Sequence, residues 1–213
     1  MPDRAASAPR ALVFDIGRVI VRVDIKRAMA TLGTGADLPA EQVWSAIQGD
    51  PRWQDWQEGR IAPGDWHAHL SRRLGFGLTF EEFCMAWNSA LDPVPILGEE
   101  LFAELGARYR LVLLSNTDPL HVAHLEQTFR FPLHFPARVY SCAVGASKPD
   151  PAVYRRTVQE AGAPPAQILY IDDAAEYVEA GRCAGLQGLL FEGPAQLLGE
   201  LRRSGILQPT SSS

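Results

Sequence analysis

Short apolar runs recur along the chain, and each is followed by small or polar residues. Continuous apolar runs of this length are typical of strands that are buried on both faces. Helix-like stretches separate the later runs, and Asp118-Pro119 and Asp150-Pro151 each predict a helix start, because an N-cap residue precedes proline. This alternation indicates a parallel sheet with helices on both faces. The runs span residues 11–14, 111–114, 138–140, 168–171 and 187–191.

The segment from about residue 20 to 97 has a different pattern and contains all five tryptophans. Thr79 and Glu82 have capping-box spacing, and the following Phe83 and Trp87 share one helical face. The segment has no convincing strand pattern. We therefore predict an α/β fold with a Rossmann-like parallel sheet core at 11–19 and 98–206, an α-helical cap inserted at 20–97, and flexible tails at 1–10 and 208–213.

Composition and charge narrow the classes of partner. The net charge of -5 and the lack of a basic run argue against nucleic acid, whose phosphates need clustered Lys and Arg. No apolar stretch approaches the ~20 residues that span a bilayer, and residues 1–10 lack the apolar centre of a signal peptide. Three scattered cysteines are too few for a disulfide framework or a zinc site. We expect a cytoplasmic protein without a membrane or nucleic-acid partner.

Polar residues that can carry chemistry follow four of the predicted strands. Because the carboxyl ends of parallel strands share one edge of a sheet, these residues can meet in space. A carboxylate there can act as a nucleophile, hydroxyl and amide groups beside a helix N-terminus suit a phosphate, and a lysine neutralises an oxyanion. Asp172 and Asp173 repel each other unless a cation intervenes, and with Asp15 they form an oxygen-rich site suited to Mg²⁺. In chain order the sites are Asp15, Ser115-Asn116, Lys148 and Asp172-Asp173.

In this order, the four sites resemble the four motifs of the haloacid dehalogenase-like hydrolases. The resemblance covers nearly all of residues 11–192 and rests on the stretches 14–20, 114–117, 147–151 and 170–173. It is strongest to the branch with a short helical cap after the first motif, which includes bacterial α-D-glucose-1-phosphate phosphatases. The resemblance implies a Mg²⁺-dependent phosphoric monoester hydrolase that acts on a small phosphorylated metabolite, with a sugar phosphate as one candidate.

The resemblance also implies a role for each site residue. Asp15 would attack phosphorus and become an aspartyl phosphate, which water then hydrolyses. Lys148 would pair with Asp15 and with the phosphate, and Ser115 would hold the phosphoryl oxygens. Asn116 would touch the substrate or orient a motif. Mg²⁺ would be held by Asp172, Asp173, an Asp15 oxygen and the Gly17 carbonyl.

Two positions shortly after Asp15 depart from the common family pattern. Most phosphatases that the chain resembles have a second aspartate at the position of Gly17, where it protonates the leaving group and later activates water. A general acid contributes a factor of about 10²–10⁴ in rate, so its absence predicts a preference for leaving groups of low pKa. Arg18 replaces a small residue, and we count it as a substrate-binding candidate, with an ion-paired surface arginine as the alternative.

Other functions and roles fit parts of this pattern. A 2-haloacid dehalogenase also uses an aspartate nucleophile and a lysine, but has no use for the acidic pair 172–173. Because Gly17 removes the usual acid, a catalytically weak member that acts as a binding or regulatory protein is a further alternative. We expect a monomer or a homodimer. The tryptophans are expected to form the core of the cap, with a sugar-binding face as the alternative. His121 and His124 are expected on a helix surface, with a position facing the cleft as the alternative.

Overall fold

A computed structural model describes residues 8–208, and the predicted tail residues 1–7 and 209–213 lie outside the described part. The strands of the described part are β1 (Ala11–Phe14), β2 (Val21–Val23), β3 (Leu91–Pro95), β4 (Arg110–Ser115), β5 (Ala137–Tyr140), β6 (Ile168–Asp172) and β7 (Gln187–Leu190). Five of them form a parallel sheet in the order β5-β4-β1-β6-β7. Each apolar run of the sequence coincides with one of these five strands, so the predicted α/β class is confirmed.

Helices cover the sheet and fill the segment between β2 and β3. None of those within residues 8–208 is long and apolar enough to cross a membrane. Short 3₁₀ turns lie at Phe131–His134 and Pro165–Gln167. The helices are α1 (Ile25–Ala36), α2 (Ala40–Gln48), α3 (Trp53–Gln57), α4 (Pro63–Leu74), α5 (Phe80–Asn88), α6 (Glu99–Gly106), α7 (Pro119–Thr128), α8 (Ser141–Val144), α9 (Pro151–Ala161), α10 (Ala175–Cys183) and α11 (Pro194–Arg203).

Side chains of β1 are buried on both faces of the sheet. Leu12 and Phe14 belong to an apolar cluster that includes residues of α6 and α11. Ala11 and Val13 belong to a second cluster, which includes residues of α9. Successive side chains of a strand point to opposite faces, so a strand covered on both faces must be apolar at every position. This is why the strands are visible in the sequence as uninterrupted apolar runs.

Helices α1 to α5 enclose an apolar cluster of their own, which includes the fully buried Trp56, Trp66 and Phe83. α5 begins at the predicted capping box, where the Thr79 hydroxyl accepts a hydrogen bond from the Glu82 N–H, and the Glu82 carboxylate accepts one from the Thr79 N–H. These two bonds satisfy backbone donors that a helix start otherwise leaves unpaired. The cluster also includes Leu120 of α7. The division of the chain into a core and a cap domain stays a prediction.

Two strands lie in the segment for which the sequence showed no convincing strand, so that expectation is wrong. β2 pairs antiparallel with β3, with Val21 opposite Pro95 and Val23 opposite Leu91. β2 is only three residues long, and β3 includes two prolines, which lack the backbone N–H of a regular ladder. The ribbon places the two ends of the helical segment side by side, so the chain leaves and rejoins the sheet core at one place.

Strand pairing begins one residue before β1. The Arg10 N–H donates to the Gln167 carbonyl at 2.8 Å, and the Arg10 carbonyl accepts from the Arg110 N–H at 3.2 Å. The sequence placed Arg10 in the flexible N-terminal tail, whereas its backbone is bonded to the first residue of β4 and to Gln167, which directly precedes β6.

Candidate active site

Asp15, Ser115 and Asp172 lie at the same edge of the parallel sheet. Asp15 directly follows β1, whereas Ser115 and Asp172 are the last residues of β4 and β6. The Asp15 N–H donates to the Ile171 carbonyl at 2.9 Å, which continues the β1–β6 pairing past the end of β1. Because β1 lies between β4 and β6, the carboxyl ends of these parallel strands bring the three side chains together.

The ammonium group of Lys148 bridges two carboxylates. Its Nζ donates to Asp15 Oδ1 at 2.8 Å and to Asp172 Oδ2 at 2.6 Å. Only 4% of Lys148, 6% of Asp15 and 0% of Asp172 are exposed. Burial acts to lower the pKa of Lys148, but the two carboxylates outweigh burial and raise that pKa above its ordinary value. Lys148 is therefore a buried cation at neutral pH.

The Asp15 carboxylate is less firmly ionised than an exposed aspartate. Burial raises its pKa to about 6, Lys148 acts in the opposite direction, and the negative charge of Asp172 adds to the increase. A carboxylate attacks an electrophile only in its ionised form, so further positive charge beside Asp15 would increase the reactive fraction. The electrostatics of the site therefore favour a second cation.

Two tyrosines that the sequence analysis did not single out support the Lys148 bridge. The Tyr170 hydroxyl donates to Asp172 Oδ2, while Oδ1 of the same carboxylate accepts from the Ala174 N–H at 2.8 Å. The Lys148 Nζ lies 4.9 Å from the centroid of the Tyr177 ring, a distance at which an aromatic face attracts a cation. Tyr170 could have been found from the sequence, because residues two apart on a strand share a face.

Asp173 pairs with Arg18 rather than with Lys148. Arg18 Nε lies 2.7 Å from Asp173 Oδ2, and the Arg18 side chain is 67% exposed. The backbone of Arg18 has a φ of 61°, in the left-handed region that few non-glycine residues adopt, and its N–H donates to the Val21 carbonyl at 2.7 Å. The ion-paired alternative for Arg18 thus describes this structure, and its contact with a substrate stays a prediction.

The donor set at the sheet edge fits a divalent cation. Asp15, Asp172 and Asp173 each place a carboxylate oxygen within 4.8 Å of the others. Burial raises the pKa of Asp173, Arg18 opposes this, and the charge of Asp172 raises it further. A cation among the three carboxylates would relieve this repulsion, and carboxylate oxygens are the ligands that Mg²⁺ prefers.

Asn116 fixes the backbone that carries Lys148. Its side-chain Nδ2 donates to the Lys148 carbonyl at 2.9 Å, and its Oδ1 accepts from the Lys148 N–H at 2.7 Å. Both ends of the amide are therefore used in positioning the lysine, and direct contact with a substrate stays a prediction. The adjacent Ser115 is only 5% exposed and, with Gly17, lines a cavity next to Asp15.

This cavity has a volume of about 160 Å³ and lies between the sheet edge and the helical segment. Trp44, Trp53 and Trp87 line it from the helical side. Trp56 and Trp66 do not line it and are fully buried in the helical core. All five tryptophans pack with the helical cluster, and three of them also form a cavity wall. A sugar-binding face stays a prediction.

Comparison with known protein families identifies one that matches most of the chain. The model of the haloacid dehalogenase-like hydrolase family matches residues 9–185. The chain belongs to this family. The family and the hydrolase class predicted from the four motifs are therefore confirmed, whereas the specific similarity to α-D-glucose-1-phosphate phosphatases stays a prediction.

Two phosphatases are similar to this hydrolase over most of their length. D-ribitol-5-phosphate phosphatase of Bacteroides thetaiotaomicron is 25% identical over 196 residues, which cover 89% of this chain and 95% of that protein. Phosphatase MT3486 of Mycobacterium tuberculosis is 26% identical over 220 residues, which cover 95% and 94%.

A solved structure shares the fold. It is a HAD family enzyme of Bacteroides thetaiotaomicron in complex with magnesium and inorganic phosphate, with a TM-score of 0.78 and 21% identity. The match covers 87% of this chain and 96% of that one. This likeness confirms the Rossmann-like α/β fold predicted for the sheet core.

A buried ion pair, formed by Asp118 and His121, joins the helical segment to the sheet core of the hydrolase. Asp118 Oδ2 accepts from Trp87 Nε1 at 3.0 Å and lies 3.0 Å from His121 Nδ1. His121 Nε2 lies 3.2 Å from the Trp87 carbonyl oxygen. Because both ring nitrogens face acceptors, the imidazole satisfies them only when it is doubly protonated.

The expected surface position is wrong for His121. Its side chain is only 16% exposed, and its ring stacks on Trp87 with centroids 5.9 Å apart. Burial acts to lower the pKa of His121, but the Asp118 charge outweighs it and raises that pKa. Burial acts to raise the pKa of Asp118, and His121, with the other donors to its carboxylate, lowers it on balance. Each partner therefore favours the charged form of the other.

We expect the stabilisation by the buried ion pair to depend on pH. The His121 contribution is complete below its ordinary pKa of 6.5 and is lost as the pH rises through its raised pKa. The Asp118 contribution is complete above 3.8 and is lost as the pH falls through its lowered pKa. His121→Gln should therefore lower the melting temperature most near pH 5.5, by about 4–8 °C for a loss of about 2 kcal/mol, and least near pH 9.

His124→Gln is the matched control for this prediction, because His124 lies on the same helix and its ring is bonded to Thr128 rather than to Asp118. Thermal unfolding of both variants and the wild type from pH 4 to 9 makes the comparison. A His121→Gln effect that does not change over this range would contradict the charged-pair assignment.

A close backbone approach at Gly59 also joins the helical segment to the core. The Gln57 carbonyl accepts from the Ser141 hydroxyl at 2.7 Å, and Glu58 Oε1 accepts from the Ser147 hydroxyl at 2.9 Å. Gly59 has a φ of +71°, and a Cβ there would lie 2.0 Å from the Cys142 carbonyl oxygen. Only glycine combines this φ with so short an approach.

Proposed function

We propose that this hydrolase is a Mg²⁺-dependent phosphatase that acts on small phosphate monoesters through an aspartyl-phosphate intermediate. The Lys148 bridge carries the proposal: its Nζ lies 2.8 Å from Asp15 and 2.6 Å from Asp172, and Asp173 completes a set of carboxylates within 4.8 Å. A nucleophile, a cation and an acidic cluster thus meet beside a cavity. The two phosphatase relatives support the same reaction class.

The first step forms a bond between an Asp15 oxygen and phosphorus, and the ester bond between phosphorus and the leaving oxygen breaks. The electron pair of that bond stays with the leaving oxygen. Lys148 holds Asp15 in position and lies close enough to neutralise a phosphoryl oxygen. Ser115 supplies a hydroxyl donor at the end of β4, the strand beside β1. Asn116 keeps the Lys148 backbone fixed while the charges shift.

In the second step, water attacks the aspartyl phosphate, releases inorganic phosphate and restores the Asp15 carboxylate. Mg²⁺ would be held by Asp15, Asp172 and Asp173 together with the Gly17 carbonyl. When bound, it supplies positive charge that offsets the repulsion between the attacking carboxylate and the phosphate. The raised pKa of Asp15, about 6, gives this charge a second effect, because it favours the ionised nucleophile.

A small phosphorylated metabolite is the proposed substrate class, and the D-ribitol-5-phosphate phosphatase relative makes a sugar phosphate one candidate. The net charge of -5 and a cavity of about 160 Å³ agree with a small molecule better than with a nucleic acid. A cytoplasmic location and a monomeric or homodimeric state stay predictions from the sequence.

A 2-haloacid dehalogenase is the second candidate, because Asp15 and Lys148 would serve it equally. Attack on carbon gains nothing from the additional carboxylates of Asp172 and Asp173, which argues against it. Chloride release from 2-chloropropionate without a metal, and no phosphate release from any ester, would replace the proposed function. Silence in both assays would favour a binding or regulatory protein.

Asp173→Asn tests the metal site of the proposed phosphatase. We expect the Mg²⁺ concentration for half-maximal phosphate release from phenyl phosphate to rise by about 10–100-fold, because one negative ligand is lost. The rate at saturating Mg²⁺ should change less, since the nucleophile remains. The measurement is the initial rate of phosphate release across a Mg²⁺ titration, started from protein treated with a chelator.

Glu179→Gln provides the control, because it removes an exposed carboxylate that pairs with Arg182 on the surface. Its Mg²⁺ requirement should equal that of the wild type. Phosphate release that survives chelation and responds equally to both substitutions would count against metal dependence.

A further inference from the structure

Three tryptophan rings form one wall of the cavity beside Asp15. Trp53 lies in the centre, with its ring centroid 5.7 Å from that of Trp44 and 6.4 Å from that of Trp87. Trp44 meets Trp53 edge to face at 86°, and Trp87 is tilted by 55°. Such a wall offers flat apolar surfaces against which a ring-shaped group can pack.

The cavity has room for one ring. Its volume is about 160 Å³, and an apolar protein cavity of about 150 Å³ accommodates benzene. Gly17 and Ser115 line the same cavity. A phosphate ester whose phosphorus faces Asp15 would therefore place its leaving group in this space.

Most polar side chains of the lining already have partners. Asn116 is bonded to the Lys148 backbone, and the buried ion pair is bonded within itself and to the helical segment. Among the residues that the structure describes in the lining, the side chains of Gln57, Thr117 and Ser115 can still form hydrogen bonds with hydroxyl groups of a ligand. Ser115 lies at the end of the cavity where the phosphate would bind. Each ligand hydroxyl that is buried without a partner lowers affinity by about tenfold.

The described lining also lacks a free acid. Its titratable side chains are those of the buried ion pair. Both ring N–H groups of His121 are directed at acceptors, and the Asp118 carboxylate accepts four hydrogen bonds. Gly17 adds no side chain next to Asp15. The leaving oxygen must therefore depart as an anion, which is fast only when its conjugate hydroxyl is acidic.

We propose that this cavity is the leaving-group pocket and that the preferred substrate is the phosphate monoester of a compact aromatic hydroxyl compound, with Trp53 as a specificity-determining residue. The inference rests on the proposed phosphatase function and adds its substrate class. The phosphoryl group passes to Asp15, the bond between phosphorus and the aryl oxygen breaks, and the aryl oxide leaves with the electron pair. It takes its proton from water. A ring without hydroxyl groups fills the pocket, and its acidic oxygen needs no protein acid.

Four esters distinguish the requirement for an apolar ring from the requirement for an acidic leaving group. Phenyl phosphate combines an apolar ring with an acidic leaving group, and cyclohexyl phosphate has a similar ring with a basic one. α-D-Glucose 1-phosphate combines many hydroxyls with an acidic leaving group, and D-ribitol 5-phosphate combines them with a basic one. With Mg²⁺ present, kcat/KM for phenyl phosphate should exceed that for each other ester by at least about tenfold, with D-ribitol 5-phosphate lowest.

Two variants test the two requirements one at a time. Trp53 is half-buried, and Trp53→Leu should raise the KM for phenyl phosphate by about tenfold while changing the KM for α-D-glucose 1-phosphate little.

The second variant, at Gly17, tests the requirement for an acidic leaving group. A Cβ at Gly17 would lie 3.4 Å from Val23 Cγ2, an ordinary contact. Gly17→Asp should therefore be tolerated and should reduce the kcat ratio of phenyl to cyclohexyl phosphate by about 10²-fold, because it supplies an acid. Phe80→Leu is the control for Trp53→Leu, because Phe80 is an exposed aromatic residue of the same helical segment and does not line the cavity.

The outcomes distinguish this inference from the function on which it rests. No phosphate release from any of the four esters would overturn the proposed phosphatase and the substrate class with it. Release that favours either polyol ester, or that ignores both leaving-group acidity and ring character, would overturn the substrate class alone. If Trp53→Leu unfolds, competition of phenol against glucose as product inhibitors of the wild-type protein decides the question, and stronger inhibition by glucose contradicts the pocket.

Discussion

Asp15→Asn is expected to reduce phosphate release by a factor on the order of 10⁴ or more, because the amide oxygen is not a nucleophile that can form the aspartyl phosphate. The substitution preserves shape, and the asparagine Oδ1 can still accept the bond from Lys148 Nζ, which is 2.8 Å long in the wild type. The fold should therefore persist, with the melting temperature within a few degrees of the wild type. Steady-state phosphate release and thermal unfolding measure the two effects.

Glu179→Gln again serves as the control, since it exchanges the same functional groups at an exposed position. Rapid quench with acid should trap phosphate on the wild-type protein and none on the Asp15→Asn protein. A variant that retains more than a few per cent of wild-type turnover would exclude Asp15 as the nucleophile.

Lys148→Met should destabilise the protein by about 3–5 kcal/mol, because two buried carboxylates then lose the cation they share. For a chain of this length this corresponds to a decrease in melting temperature on the order of 10–15 °C. Activity should be lost as well, since Lys148 is proposed to neutralise the phosphoryl oxygens. Lys26→Met is the matched control, because Lys26 is the other lysine of the chain and is exposed.

The sign of the pH dependence follows from the Asp15 pKa, which burial already raises to about 6. Without Lys148 that pKa rises further, so the folded state holds protons that the unfolded state releases above its ordinary pKa of 3.8. The free energy of unfolding of Lys148→Met therefore decreases as the pH rises through this range. The deficit relative to the wild type should be smaller at pH 5 than at pH 8, and an equal deficit at both would contradict a charge-based effect.

The sheet and its functional edge could be predicted from the sequence because strands that are buried on both faces consist of consecutive apolar residues. Every residue of β1 is buried, so the strand is an unbroken apolar run, and the polar Asp15 marks its end. Parallel topology then places the ends of β4 and β6 at the same edge of the sheet, and the strand order of the structure puts them on either side of β1. The positions of Ser115 and Asp172 follow from this rule without knowledge of any side-chain contact.

Contacts between distant segments could not be predicted in the same way. The position of His121 depends on Trp87, which lies in another part of the chain, so a helical pattern alone indicates only a surface residue. β2 and β3 are stabilised by pairing with each other, and neither three residues nor a proline-containing stretch has a strand pattern. Which of the five tryptophans also line the cavity depends in the same way on how the helices pack.

The approach at Gly59 has a consequence for how this protein could change its specificity. The helical segment touches the core there through main-chain atoms, and a Cβ would be only 2.0 Å from the Cys142 carbonyl oxygen. Substitutions at Trp44 and Trp53, which line the cavity, can therefore alter which molecule is accepted while this backbone contact at Gly59 stays the same. In evolution and in engineering, substrate recognition can then change independently of this contact between the helical segment and the core, provided that position 59 remains glycine.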